Sequence, residues 1–93
     1  MIRNPNHPGI FLQIYLDDYN ITAYKLAKDT FMPQTRVSEI LKGKRSITLD
    51  TALRLSKYFG NSIDQWLNLQ RSYDLFKFNK KPMEEIKPLA KIG

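Results

Sequence analysis

The chain has 93 residues and no cysteine, and its formal net charge is +6, from 15 Lys and Arg against 9 Asp and Glu. This length allows one small domain and excludes a cleft between two domains, while the lack of cysteine excludes disulfides and thiolate metal sites. No apolar run approaches the roughly 20 residues of a membrane-spanning helix, and the first nine residues lack the apolar segment of a signal peptide. We therefore expect a cytoplasmic protein that is stabilised by core packing.

The first two predicted helices are short and closely spaced. Pro8 suits a first helical turn, because its missing N–H costs nothing there. Apolar residues follow at helical spacing, which predicts a helix over 8–19 that stops at Asn20. Thr22 can then accept a backbone N–H and cap a second helix over 23–30.

A third helix is predicted from Gln34 to Lys42. Pro33 disfavours helical geometry at the residue before it, so the second helix cannot continue through this point. Gly43 is suited to the left-handed residue that follows a helix. The apolar residues of this helix have i, i+3 and i+4 spacing and share one inward face: Val37, Ile40 and Leu41.

A fourth helix is predicted between Thr48, its N-cap, and Gly60, where it ends. Asp50 lies in the first turn, where a negative charge favours the helix dipole. We expect the inner face of this helix to consist of Ala52, Leu53, Leu55, Ser56 and Phe59.

A fifth helix follows, with Ser62 and Gln65 as a capping box and an end near Phe76. The remaining residues, 77–93, include two prolines and five lysines and have little to bury, so we expect a loose or partner-dependent tail. The prediction is an all-α, five-helix, repressor-like helix-turn-helix domain over residues 1–76, with a short C-terminal tail.

The second and third helices form the candidate recognition unit. About three residues separate them, and the small Ala27 suits a close approach of the two helices, which is the layout of a helix-turn-helix. The polar groups on and beside the outer face of the third helix can bond to base edges in a major groove: Gln34, Thr35, Arg36, Ser38 and Glu39.

The charge excess is concentrated at the same place. Residues 31–60 carry a net charge of +4, whereas residues 1–30 are neutral. The basic and hydroxyl groups at the end of the third helix and in the loop after it are typical phosphate contacts, which set register without reading sequence: Lys42, Lys44, Arg45 and Ser46.

These residues resemble those of a known family. The segments Leu26-Ala27, Val37–Ile40 and Gly43–Thr48 are similar to phage-repressor/Cro-type helix-turn-helix domains. A narrower resemblance, to the HigA (VapI-like) antitoxins, covers about residues 7–76. It is carried by His7-Pro8-Gly9, by Asp50–Gly60, and by Trp66–Gln70 with Tyr73–Leu75.

The resemblance implies a function with two partners. Such antitoxins neutralise a small ribonuclease toxin of HigB type, form homodimers, and repress their own operon by binding double-stranded operator DNA. It further implies that Gln34, Thr35 and Ser38 face bases, and that Thr22, Lys44, Arg45 and Ser46 face phosphates. The family usually has glycine at the turn position occupied here by Phe31; a positive φ at this residue costs of order 1 kcal/mol.

The fifth helix predicts a dimer interface. At 100° per residue its apolar side chains span about half of the circumference, more than the stripe that one core contact needs. We assign to the interface Trp66, Leu69, Tyr73 and Phe76, although Trp66 and Tyr73 also fit a core position. A two-fold dimer would bring two recognition helices into major grooves about 34 Å apart.

Two other functions remain open. The same scaffold serves stand-alone transcriptional regulators, because function depends on sites rather than on the fold. A small basic ribonuclease would need positioned titrating groups, and His7 is the only histidine. Asp17 and Asp18 point about 100° apart on a helix, so we predict no metal site and no cofactor.

Overall fold

The computed structural model describes residues 6–90, which form five α-helices and one 3₁₀ turn and contain no β-strand. The elements are α1 (Pro8–Tyr19), α2 (Ala23–Thr30), α3 (Gln34–Leu41), α4 (Leu49–Phe59), α5 (Ile63–Lys77) and the turn Lys81–Met83. The predicted all-α architecture is confirmed. α3 ends one residue earlier than expected, because Lys42 is its C-cap, and α5 ends one residue later.

Hydroxyl side chains start three of the helices. Thr22, Thr48 and Ser62 each accept the backbone N–H three residues further on, as predicted. The capping box at α5 is only half formed. The side chain of Gln65 does not return to the backbone of Ser62 and instead lies 3.2 Å from the hydroxyl of Tyr15.

The hydrophobic core lies where all five helices meet. Ala27 and Val37 are buried at the contact between α2 and α3, as the recognition-unit pattern predicts. Leu53 is an error in the predicted inner face of α4, since 46% of its surface is exposed and Thr51 is buried instead. The buried apolar residues are Leu12, Leu16, Leu26, Ala27, Met32, Val37, Ile40, Ile47, Ala52, Leu55 and Trp66.

An aromatic cluster joins α1 to α4 and α5. The ring of Tyr15 lies 4.8 Å from that of Phe59 and 5.2 Å from that of Trp66, centroid to centroid. Such tilted pairs stabilise beyond the area that they bury. The indole N–H of Trp66 donates to Asn61 at 2.9 Å, which satisfies its only polar group. Trp66 is therefore a core residue of its own chain.

The end of α5 and the segment after it have an apolar surface. Leu75, Phe76 and Phe78 are each at least half exposed, and residues 77–90 make up an exposed segment. The apolar side chains at the end of α5 and in this segment are therefore not covered by the rest of the described chain.

Candidate nucleic-acid interface

The outer face of α3 presents a group of polar side chains. Val37 and Ile40 are completely buried and fix the opposite face of α3 against the core. One shallow depression on the outer side is lined by five residues that were predicted to contact DNA: Gln34, Thr35, Ser38, Glu39 and Lys42. These amide, hydroxyl, carboxylate and ammonium groups can donate or accept hydrogen bonds at base edges.

Arg36 does not belong to this depression, contrary to expectation. Its guanidinium Nη1 lies 2.6 Å from the Asp50 carboxylate at the start of α4, and the side chain is largely covered. Asp50 also accepts from Nε of Arg54 at 2.9 Å. Hydrogen bonds from Arg54 and then Arg36 hold the pKa of Asp50 below its usual range. Arg36 thus faces α4 instead of the outer surface of α3.

The loop after α3 turns sharply beside this face. Gly43 has a φ of 76°, and the backbone N–H of Lys44 donates to the carbonyl of Glu39 at 2.8 Å. Residues 42–46 are all exposed, so the side chains of this loop are free to reach a ligand on the surface. A cation on such a loop can contact a phosphate without reading a base.

Two residues assigned to DNA contact each other. The guanidinium of Arg45 lies 2.6 Å from the carboxylate of Glu39, and both side chains are nearly half exposed. A DNA phosphate would therefore compete with Glu39 for Arg45. The exposed pair contributes little to stability in itself, since surface ion pairs are worth at most about 1 kcal/mol.

A buried glutamine supports the loop from below. The side-chain carbonyl of Gln70 on α5 accepts the backbone N–H of Ile47 at 2.7 Å, and its amide donates to Asp74. Gln70 is buried and is absent from the residues predicted from the sequence to form the site. The sequence did hold one signal for its burial, because Gln70 lies one helical turn after Trp66 and so shares the inner face of α5.

His7 supports the same loop from the other side. Nδ1 of His7 accepts the backbone N–H of Gly9 at 2.9 Å and so caps α1, and the ring makes an edge contact with Tyr73 at 5.0 Å. A β-carbon at Gly43 would be 3.7 Å from the His7 ring. Burial lowers the pKa of His7 from 6.5, although a hydrogen bond with the Arg45 backbone and the charge of Asp74 oppose that shift.

The predicted dimer residues do not form one surface. Trp66 has no exposed area, so its assignment to a direct dimer contact is corrected. Leu69 and Tyr73 are partly buried, and Phe76 is half exposed. Leu69, Tyr73 and Phe76 remain as candidate dimer residues at the end of α5. Leu75 and Phe78 lie on another face, where they line a depression with Ile47, Leu67 and Gln70.

Residues 6–90 contain no cluster of three His, Asp or Glu side chains that could hold a metal ion. Nor does this part of the chain contain a helix that is long and apolar enough to cross a membrane.

A short helix with a polar outer face, packed on a second short helix and followed by a basic loop, defines a helix-turn-helix domain of the DNA-binding type. Comparison with known proteins agrees with this architecture. A family profile described as helix-turn-helix matches residues 12–66.

Among curated relatives, virulence-associated protein I of Dichelobacter nodosus is 46% identical over 74% of this chain and 65% of its own length. The chain thus spans less than two thirds of that relative. Antitoxin HigA-1 of Vibrio cholerae is 31% identical over 94% of this chain and 86% of that protein.

Solved structures of HigA-family proteins are similar to this chain over nearly its whole length. A HigA-family addiction module antidote protein from Coxiella burnetii superposes with a TM-score of 0.84 at 44% identity, over 94% of this chain and all of that one. Pseudomonas aeruginosa antitoxin HigA with the higBA promoter gives 0.83 at 36% identity, over 92% and 99%. The chain belongs to the helix-turn-helix family and, within it, to the HigA (VapI-like) antitoxins.

Proposed function

We propose that this chain is the antitoxin of a type II toxin–antitoxin pair, which neutralises a small HigB-like ribonuclease toxin and represses its own operon. The single observation that carries the DNA-binding part is the polar outer face of α3 beside an exposed basic loop. The similarity to an antitoxin solved with its promoter supports the same assignment. The proposed DNA is the double-stranded operator upstream of the chain's own gene.

The residue roles follow from position. Gln34, Thr35 and Ser38 lie on the outer face of α3, where they would contact bases, and Glu39 lies at the edge of the same face. The groups proposed for phosphates are all exposed, at the start of α2, at the end of α3 and in the loop after α3: Thr22, Lys42, Lys44, Arg45 and Ser46. Thr22 also caps α2, and that helix N-terminus adds backbone N–H groups that attract phosphate.

We propose that the protein binds its operator as a homodimer. The apolar surface around Leu69, Tyr73 and Phe76 at the end of α5 supports this arrangement, since a second copy would cover it. Two recognition helices would then read half-sites one helical turn apart. Light scattering at micromolar concentration tests this, and a monomer mass both with and without operator DNA would contradict it.

The toxin partner is tested by co-expression with the adjacent reading frame. We expect the neighbouring product to co-purify with this chain, to arrest growth when it is expressed alone, and to cleave RNA until this chain is added. The chain must also shift a DNA fragment from its own upstream region. A fragment of equal length from inside the gene is the control for sequence-independent binding.

A stand-alone transcriptional regulator is the alternative function. Relatives in Escherichia coli named as uncharacterized HTH-type transcriptional regulator YbaQ, 34% identical over 90% of this chain, favour that reading. A harmless neighbouring product that does not co-purify, combined with specific operator binding, would select it.

We further propose that the protein is cytoplasmic and is not an enzyme. The ribonuclease reading depends on His7, which is buried and whose Nδ1 is used to cap α1. A general acid or base must reach the reacting proton. RNA turnover by the purified chain that is lost in His7→Ala would contradict this proposal.

A further inference from the structure

Three charged side chains connect the recognition helix to the turn that precedes it. Asp50 on α4 accepts from Arg36 on α3 at 2.6 Å and from Arg54 on α4 at 2.9 Å. Arg54 then donates through Nη1 to the backbone carbonyls of Thr30 at 2.8 Å and Phe31 at 3.2 Å. We name this set of contacts, Arg36–Asp50–Arg54, the α4 bridge.

The bridge ends on the part of the backbone that sets the angle between α2 and α3. Phe31 has a φ of 58°, a left-handed conformation that is unfavourable for a residue with a β-carbon. Its side chain is 85% exposed, so packing of the ring does not hold this conformation. Arg54 binds two backbone carbonyls at the C-terminal end of α2, where the helix dipole favours a cation. Arg54 therefore stabilises a turn that would otherwise favour glycine.

The other end of the bridge determines where Arg36 points. The Asp50 carboxylate holds the guanidinium against α4, away from the depression that Thr35, Ser38 and their neighbours line. Because Asp50 is shared by both arginines, loss of its charge would release α3 and the turn together. The Lys25–Asp29 pair, in contrast, joins two residues of α2; Asp29 also accepts from Tyr58 on α4, but neither contact reaches α3.

We infer that the α4 bridge positions the recognition helix, with Asp50 and Arg54 as positioning residues and with Arg36 acting through Asp50 instead of contacting a base. This inference rests on the proposed DNA-binding function. It predicts that damage to the bridge changes discrimination at every base pair that α3 contacts. Phosphate contacts, and hence the dependence of affinity on salt, would be retained.

A double-mutant cycle tests the inference with the full chain and its upstream DNA. We expect Arg36→Gln and Asp50→Asn each to weaken operator binding about threefold to tenfold, and the double variant to bind no more weakly than the weaker single variant. The slope of log affinity against log salt should stay unchanged in all three. Asp50→Glu should restore most of the affinity. Arg71→Gln, on the exposed side of α5, is the control for loss of one positive charge.

A direct contact between Arg36 and DNA would give a different result in the same experiment. If Arg36 contacts DNA directly, Arg36→Gln will reduce the salt slope or remove discrimination at a single base pair, and its cost will be the same in the Asp50→Asn background. Either outcome overturns the inference. Circular dichroism confirms that each variant is folded at the assay temperature.

A second measurement needs no DNA and separates this inference from the proposed function. The backbone N–H of Met32 donates to Ala27 across the turn at 2.9 Å. Hydrogen exchange of this amide should accelerate at least severalfold in Asp50→Asn and in Arg54→Gln, but not in Arg71→Gln. Unchanged exchange in both bridge variants would overturn the positioning role, whereas failure of the wild-type chain to bind its upstream DNA would overturn only the proposed function.

Discussion

Gly9 on α1 lies against Ile40 on α3 so closely that a β-carbon at position 9 would overlap the Ile40 carbonyl oxygen. The overlapped atom is backbone, so it cannot move aside as the tip of a side chain could. Ile40 itself is completely buried. The absence of a side chain at Gly9 therefore allows the start of α1 to support the end of the recognition helix.

Gly9→Ala is expected to lower the free energy of unfolding by about 1–3 kcal/mol, because the added methyl group forces α1 and α3 apart. Urea denaturation followed by circular dichroism measures this change. Gln13→Ala, on the exposed side of the same helix, is the matched control and should stay within about 0.5 kcal/mol of wild type. Equal stability of the Gly9→Ala variant would show that the two helices separate without cost.

Gln70→Ala should also destabilise the fold, by about 1–3 kcal/mol, because the buried N–H of Ile47 loses its acceptor. The effect should be greatest in the basic loop, since this hydrogen bond ties Ile47 to α5. Amide hydrogen exchange at Ile47 is the direct measurement. Asn68→Ala, on the exposed face of α5, provides the comparison. Exchange at Ile47 that is no faster than in the Asn68 variant would argue against the supporting role of Gln70.

Phe31 tests the cost of the left-handed turn. Phe31→Gly should be more stable than Phe31→Ala by about 1 kcal/mol, because alanine keeps the unfavourable β-carbon at a φ of 58° and glycine does not. Both variants remove the same exposed ring, so the difference isolates the backbone. The two unfolding midpoints in urea give this difference, and a more stable alanine variant would contradict it.

His7 should make stability depend on pH. Its pKa is lowered by burial, so between that value and 6.5 the unfolded chain binds more protons than the folded one. The free energy of unfolding should therefore fall as the pH drops from 6.5 through the folded-state pKa. A protonated Nδ1 also cannot accept the Gly9 N–H.

His7→Asn is the variant that isolates this dependence. Asparagine keeps a side-chain oxygen that can cap α1, but it does not titrate. Urea denaturation at a series of pH values around and below 6.5 should show a weaker slope in this variant than in wild type. If the free energy of unfolding changes with pH equally in both proteins, groups other than His7 cause the pH dependence.

The helices and the core were predictable from local signals. Pro8, Thr22, Pro33, Thr48 and Ser62 mark helix starts through backbone chemistry that acts over three or four residues. The periodic apolar pattern then placed Val37 and Ile40 in the core.

What the sequence could not predict depends on which distant groups meet. The contacts of Arg36 with α4 and of Gln70 with Ile47 join residues that are 14 and 23 positions apart. Trp66 illustrates the same limit. Its apolar surface fits a core or a dimer contact equally well, and only the packing of α1, with Tyr15 beside it, decides for the core.

The DNA-binding proposal makes different predictions for α3 and for the loop. Thr35→Ala removes a hydroxyl from the outer face of α3, so it should relax discrimination at one base pair, at a cost of about 0.5–1.5 kcal/mol on the preferred operator. Lys44→Gln should instead weaken binding evenly across operator variants and reduce the salt slope by about one unit. Lys44 is the clearer choice than Arg45, because Arg45 pairs with Glu39 and its loss would change that carboxylate too. Fluorescence anisotropy with a set of single-base operator variants at several salt concentrations measures both effects. A uniform loss in Thr35→Ala, or a base-specific loss in Lys44→Gln, would reverse the roles assigned to the helix and the loop.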